Sequence, residues 1–197
     1  METLSNELEG WLTGKGDKTV GGLVNVFGER SFAILFLLLL AVPALPLPTG
    51  GATHVFELIA VLVALQLVAG RDEIWLPQRW RGIQLVGEKR ERFLRALLRL
   101  IRWLERISRP RSAFLFDRRA SNVVFGVLVI GGSVAAFLAP PFTGLDTLPA
   151  LGVVLLSLSV LFKDALIAVL GLACGTAGVL LEIVLGEAAI RGIAGFF

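Results

Sequence analysis

Two corners in this sequence carry residues whose types and spacing suit ligand chemistry. Thr49 and Gly50 are followed by Thr53, and Thr143 and Gly144 by Thr147, so Thr-Gly-x-x-Thr occurs twice at an offset of 94. Prolines precede both corners: Pro46 and Pro48 in one, Pro140 and Pro141 in the other. Turn chemistry alone accounts for these residue types, because glycine adopts positive φ and threonine caps the helix that follows. Corners that face each other would do more. Two helix N-termini would meet, and their free N–H groups and dipoles favour an anion such as a phosphate.

Further polar groups sit at the edges of apolar runs. His54 and Glu57 lie one turn apart. They are placed to cap a helix start, where the dipole favours a carboxylate, or to pass a proton between them. Glu29 and Arg30 stand at the mouth of an apolar arm, as an exposed interfacial pair or as a gate; an ionisable residue facing lipid is costly unless partnered. Gln66, alone in an apolar run, suits a hydrogen bond between helices or a ligand contact. Arg71-Asp72 and Lys163-Asp164 recur at an offset of 92 and suit interfacial ion pairs, kept or remade during a conformational cycle.

Enzymatic sets are not legible. The chain has one histidine, His54, and one cysteine, Cys174. There is no Ser/His/Asp set, no Cys/His pair, no phosphate-cradling loop and no metal-ligand cluster. Catalysis, a metal and a cofactor are therefore not expected. A membrane transferase using Glu29, Glu57 or Asp164 is the remote case. A lone cysteine also excludes an internal disulfide.

The elements that position these residues are apolar. Of 197 residues, 55% are hydrophobic and 18% charged, where soluble domains carry about a quarter charged. Mean hydropathy is +0.79. The start is acidic (Glu2, Glu7, Glu9) and does not read as a signal peptide. Residues 4–12 pattern as a short amphipathic helix with Leu4, Leu8, Trp11 and Leu12 on one face, and a second short helix is expected over 20–27. Apolar runs follow over 32–45 and 55–69. Their 14 to 15 residues fall short of the roughly 20 that a straight span needs. The hairpin is therefore expected to be re-entrant, with its corner inside the membrane, where irregular backbone is tolerated only within protein or against a water-filled cavity.

The middle is basic. From Arg71 to Arg119 there are thirteen Arg and one Lys against six acids, a net of +8, within a chain whose formal charge is +3. Over 88–108, Phe93, Leu97, Leu100, Ile101, Leu104 and Ile107 line one helical face and Arg92, Arg95, Arg99, Arg102 and Arg106 the other. That pattern fits a helix lying in the headgroup plane. Nucleic acid is not expected as a partner. The positive-inside rule puts this middle in the cytoplasm.

The second half repeats the plan: apolar runs over 122–139, 150–162 and 165–181, then an amphipathic tail from 182. Residues 122–139 are the best candidate for a full span. Gly171, Ala173, Gly175 and Gly178 form a small-residue stripe that suits a homodimer or packing within one chain. The expected fold is an all-α integral membrane protein with two broken or re-entrant helical hairpins and a basic amphipathic interfacial helix between them. Its units are 1–72, an N-terminal segment and first hairpin; 73–120, the basic linker; and 121–197, the second hairpin and a C-terminal membrane helix. Whether the two hairpins are parallel or inverted is left open by the sequence.

An ordered series of tripeptides resembles the ExoD family of bacterial exopolysaccharide synthesis proteins. The series runs Gly28-Glu29-Arg30, Pro46-x-Pro48, Gln66-Leu-x-x-Gly70-Arg71, Trp75-Leu76-Pro77, Arg109-Pro110-Arg111, Pro141-Phe142-Thr143 and Leu148-Pro149-Ala150, and the likeness covers about Leu4 to Leu172. The resemblance implies a multi-pass protein of the bacterial inner membrane linked to exopolysaccharide production. It supplies no catalytic residues. The family's second corner usually reads Pro-Phe-Thr-Asn, and Gly144 stands here in place of the asparagine. Membrane lipids are the expected partners, with a polyprenyl phosphate or glycolipid as ligand of the corners. The alternative is a membrane adaptor that recruits a cytoplasmic partner through its arginine-rich helix.

Overall fold

The structure is a computed structural model of the chain. It describes residues 4–14, 19, 21–22, 30–45, 53–71, 73–75, 77–82, 98–99, 101–103, 106, 116, 119–140 and 143–194. The regular elements among them are α-helices: α1 Leu4–Thr13, α2 Ser31–Leu40, α3 His54–Val68, α4 Gln78–Arg81, α5 Arg119–Leu138, α6 Thr147–Phe162 and α7 Ala165–Ala194. Most of the segments expected as helices over 20–27 and 88–108 lie outside the described residues.

α2 is apolar after Ser31 and is buried over most of its surface, with Leu38 and Leu39 partly exposed. Phe32, Ile34, Phe36, Leu37 and Leu40 all belong to the core. The helix packs between α3 and α6, and Phe36 meets Phe125 of α5 edge to face at 5.7 Å. The apolar run continues to 45, but the helix stops at Leu40. Pro43 lacks a donor and crowds the preceding turn.

On α3 the residues Glu57, Ala60, Ala64 and Leu67 are buried at helical spacing, while Val55, Leu58, Leu62 and Leu65 face outward. The inner face meets α2 and α5. Gly126 lets α5 close on α3: a Cβ there would lie 2.7 Å from Val68 Cγ2. Gly132 does the same for α6, where a Cβ would lie 2.5 Å from Val153 Cγ2.

The contact between α6 and α7 is the closest. A Cβ on Gly152 would sit 2.6 Å from the Gly175 Cα, and one on Gly171 would sit 2.9 Å from the Leu156 nitrogen. Gly171, Gly175 and Gly178 of the small-residue stripe therefore pack against α6 within the chain, while Ala173 is exposed. Lys163 closes α6 in the left-handed conformation at φ 51°, and Asp164 Oδ1 accepts the Leu166 N–H at 2.9 Å to start α7. The basic-acidic pair at 163–164 is thus the turn between two antiparallel helices.

α7 differs from expectation in length. It runs unbroken through 181 to Ala194, with no proline after Pro149 to stop it. The residues read as a separate tail extend the same helix.

Among the described residues, two helices are long and apolar enough to cross a membrane: α5, with 20 residues, and Ala165–Ala188 of α7, with 24. At about 1.5 Å per residue α5 reaches about 30 Å, the thickness of a hydrocarbon core. Their outward faces carry Val124, Val127 and Phe137 on α5 and Val169, Leu180 and Val184 on α7, all exposed. Contiguous apolar surface of this extent is costly in water.

Of the basic middle, Leu98 and Ile101 are buried in the core, while Arg99, Arg102, Trp103 and Arg106 are exposed. Leu98 and Ile101 thus turn into the protein, while Trp103 faces outward with the arginines. Arg102 is engaged by Glu9 of α1, and Arg30 lies 3.8 Å from Glu7 on the same helix. The acidic first helix is pinned to the basic segment, with its Trp11 buried.

Candidate functional site at the corner end of the bundle

The bundle has two ends. At one, Arg119 reaches over Gly70 and α6 turns into α7. At the other, the start of α3, the end of α5, the start of α6 and the 178–182 stretch of α7 converge. Most of the chemistry read from the sequence lies at this second end.

Thr53 and Asp146 occupy the cap positions of α3 and α6, and neither caps its own helix. Instead the Thr53 hydroxyl donates to Asp146 Oδ2 at 3.5 Å, the outer limit of such a bond. Neither cap side chain therefore satisfies the first N–H groups of its own helix. Four residues after the cap, Glu57 is fully buried and takes the His54 Nδ1 at 2.8 Å on its Oε2. The His54 ring also lies 5.3 Å from that of Phe137 on α5. His54 and Glu57 therefore pair with each other within the first turn of α3. Glu182 of α7 completes the cluster: it feels the charges of both Asp146 and Glu57.

The other sequence-derived residues divide clearly. Thr143 and Gly144 are exposed. The Thr143 hydroxyl donates to the Pro140 carbonyl at 2.6 Å and accepts the Leu145 N–H at 3.3 Å, while Gly144 takes φ +70°. These two build the turn. Thr147 opens α6, its N–H donating to the Gly144 carbonyl at 3.3 Å. Gln66 lies toward the far end of α3 from the cluster. Its Oε1 accepts the Trp75 N–H at 2.8 Å, so it ties down the chain after α3. Arg71 is exposed, and Thr49, Gly50, Glu29, Asp72, Arg92 and Arg95 lie outside the described residues.

Three members of the cluster were not singled out by the sequence. Asp146 reads as part of a turn, Glu182 as part of a tail, and Ser133 as one small residue in an apolar run. The available signal was an acid within a long apolar stretch, which is costly and usually functional in a membrane. Reading α7 as ending at 181 hid it.

Between α5, α6 and α7 runs an apolar groove. One section, of about 350 Å³, is lined by Val127, Leu128, Gly132, Val153, Gly175 and their neighbours. A second, of about 360 Å³, shares Leu128 and Leu156 with the first and continues toward the Arg119 end.

A family model described as "Exopolysaccharide synthesis, ExoD" matches residues 4–184. An uncharacterized protein of Synechocystis sp. is 30% identical over 200 residues, spanning 100% of this chain and 90% of that protein. Protein ExoD of Rhizobium meliloti is 30% identical over 203 residues, spanning 100% of this chain and 84% of that protein. No solved structure matches the chain.

Proposed function

This chain belongs to the ExoD family of exopolysaccharide synthesis proteins, and from that premise we propose that it serves this synthesis as a multi-pass protein of the bacterial inner membrane, binding or moving a lipid-linked phosphate intermediate at its corner end. The observation that carries the reading is the contact between Thr53 and Asp146. It joins two helix starts that are 93 residues apart in the chain, and both are uncapped by their own side chains. Paired helix N-termini favour a phosphate. Paired broken hairpins are the arrangement transporters use to build a site at the interface of two repeats. The groove between α5 and α7 suits the hydrocarbon tail of such a ligand, since it opens between the two helices long enough to span. In this reading α2–α3 is a re-entrant hairpin, and the halves are related by duplication.

The test is binding of a short-chain polyprenyl phosphate to the full-length protein in proteoliposomes, alongside polysaccharide output in cells. Thr53→Val, which breaks the contact and leaves the charges in place, should weaken binding about tenfold, the equivalent of about 1.4 kcal/mol, and reduce output, whereas Asp146→Asn also removes a negative charge from beside the phosphate and should shift binding in the opposite sense. Unchanged binding and output in both variants defeats the corner site. The adaptor reading rests on the exposure of Arg99 and Arg106. It predicts the reverse pattern: charge reversal of those two arginines lowers output while lipid binding is intact.

A further inference from the structure

The corner end contains more unsatisfied acid than a structural role requires. Glu57 is fully buried, and its Oε1 has no hydrogen-bond partner. Ser133 of α5 is buried as completely, and its hydroxyl is also unpartnered. Two contacts set the antiparallel register of α3 on α5: the ring of His54 against that of Phe137, and Val68 against Gly126. That register places Ser133, one turn before Phe137, level with Glu57. On the other side, Glu182 Oε1 is buried without a partner, in the fields of Asp146 and Glu57.

No described cation faces this group. α2 carries no charged residue. The one basic residue of α5, Arg119, lies at the opposite end beside Gly70. α6 has none before Lys163, which is at that opposite end too. On α7 the charged residues are Glu182, Glu187 and Arg191. His54 is the one base in contact with Glu57.

We propose that His54, Glu57, Asp146 and Glu182 form a proton-binding site, and that proton uptake there admits an anionic headgroup to the two helix starts. Like charges in a shared, poorly solvated site cannot all persist, and such groups titrate as one unit. A phosphate at the helix starts would meet three carboxylates unless protons are present. Proton and phosphate therefore bind with positive coupling, and the coupling is reciprocal. The proton site stands on its own geometry; its link to phosphate rests on the lipid-binding reading above.

Two measurements separate these claims. Infrared absorption of the full-length protein in nanodiscs reports protonated carboxyl C=O groups directly. A pH-sensitive band present at neutral pH, and diminished in Glu57→Gln and in the less buried Glu182→Gln, supports the site. Absence of that band overturns it, as does a sodium-dependent rise in Tm without any proton signal, which would identify a cation site. Binding of a short-chain polyprenyl phosphate is then followed against pH. Wild type should tighten by up to about tenfold per unit fall in pH, the limit for one linked proton, and Glu57→Gln should flatten the slope. Binding without pH dependence overturns the coupling. No binding at any pH defeats the lipid reading and the coupling with it, and the infrared band alone then decides the proton site.

Discussion

The first hairpin, α2 and α3, has arms of 10 and 15 residues, whereas the second, α5 and α6, has arms of 20 and 16. The shorter pair carries the acid and base. Its α2 is mostly enclosed, and its α3 brings His54 and Glu57 to the corner end. At the offset of 94 that relates the two corners, the second hairpin has Leu148 and Leu151 instead. The longer pair supplies reach: α5 matches the thickness of a bilayer, and its outward face is apolar. It gives the site only Asp146 from the turn and Ser133 from its inner face. Similar corners thus serve different purposes. One hairpin holds the titratable groups, and the other holds the lipid boundary and the close packing.

The division can be broken most forcefully through packing in the second half. Gly152→Val places side-chain atoms against the Gly175 backbone, and overpacking of this kind costs about 1–3 kcal/mol. Thermal unfolding in detergent should show a large fall in Tm. Gly131→Ala, on the neighbouring helix with open space around it, should leave Tm unchanged. Equal effects would mean that the α6–α7 contact is not the tightest in the bundle.

The first half should respond in the opposite sense. Glu57→Leu replaces a buried carboxyl with one unmet oxygen by an apolar group, which should stabilise the protein by about 1–2 kcal/mol while abolishing polysaccharide output. A variant that is both less stable and fully active would make Glu57 a structural acid. A smaller effect tests the link between the halves. A double-mutant cycle on Thr53→Val and Asp146→Asn should give a coupling of about 1 kcal/mol, and additivity would uncouple the two corners. The smallest effect belongs to Thr143→Ala. Loss of its local turn bonds on an exposed corner should cost about 0.5 kcal/mol in Tm-derived stability and leave lipid binding unchanged.

Much of the framework was legible in the sequence because apolar runs are long and their breaks are chemically marked. α3 and α5 appear close to where the runs over 55–69 and 122–139 placed them, and α6 starts at Thr147, before the run over 150–162. Pro43, inside the run over 32–45, ends α2 sooner than hydropathy alone suggests. Gly144 takes the positive φ that a Thr-Gly turn requires. The site was less legible, because it is assembled from four helices and depends on register. Nothing local in the sequence says that Thr53 turns from its own helix to Asp146, or that α7 continues far enough to bring Glu182 level with them. The arginine face was read as facing lipid headgroups. Arg102 of that face also meets Glu9, a pairing across 93 residues of chain that helical periodicity does not encode.

The glycine contact between α6 and α7 has a mechanical consequence. Where backbone meets backbone, no side chain can change rotamer to let one helix slide along the other. The two-residue turn at Lys163 and Asp164 fixes their lower ends as well. α6 and α7 therefore travel as one rigid body, carrying Asp146 and Glu182 together. α3 meets α5 closely at one glycine, Gly126, against Val68 and the Ala64 carbonyl, and is the part freer to shear. Any opening of the corner end is then measured by one distance, that from Thr53 and Glu57 to the α6–α7 body.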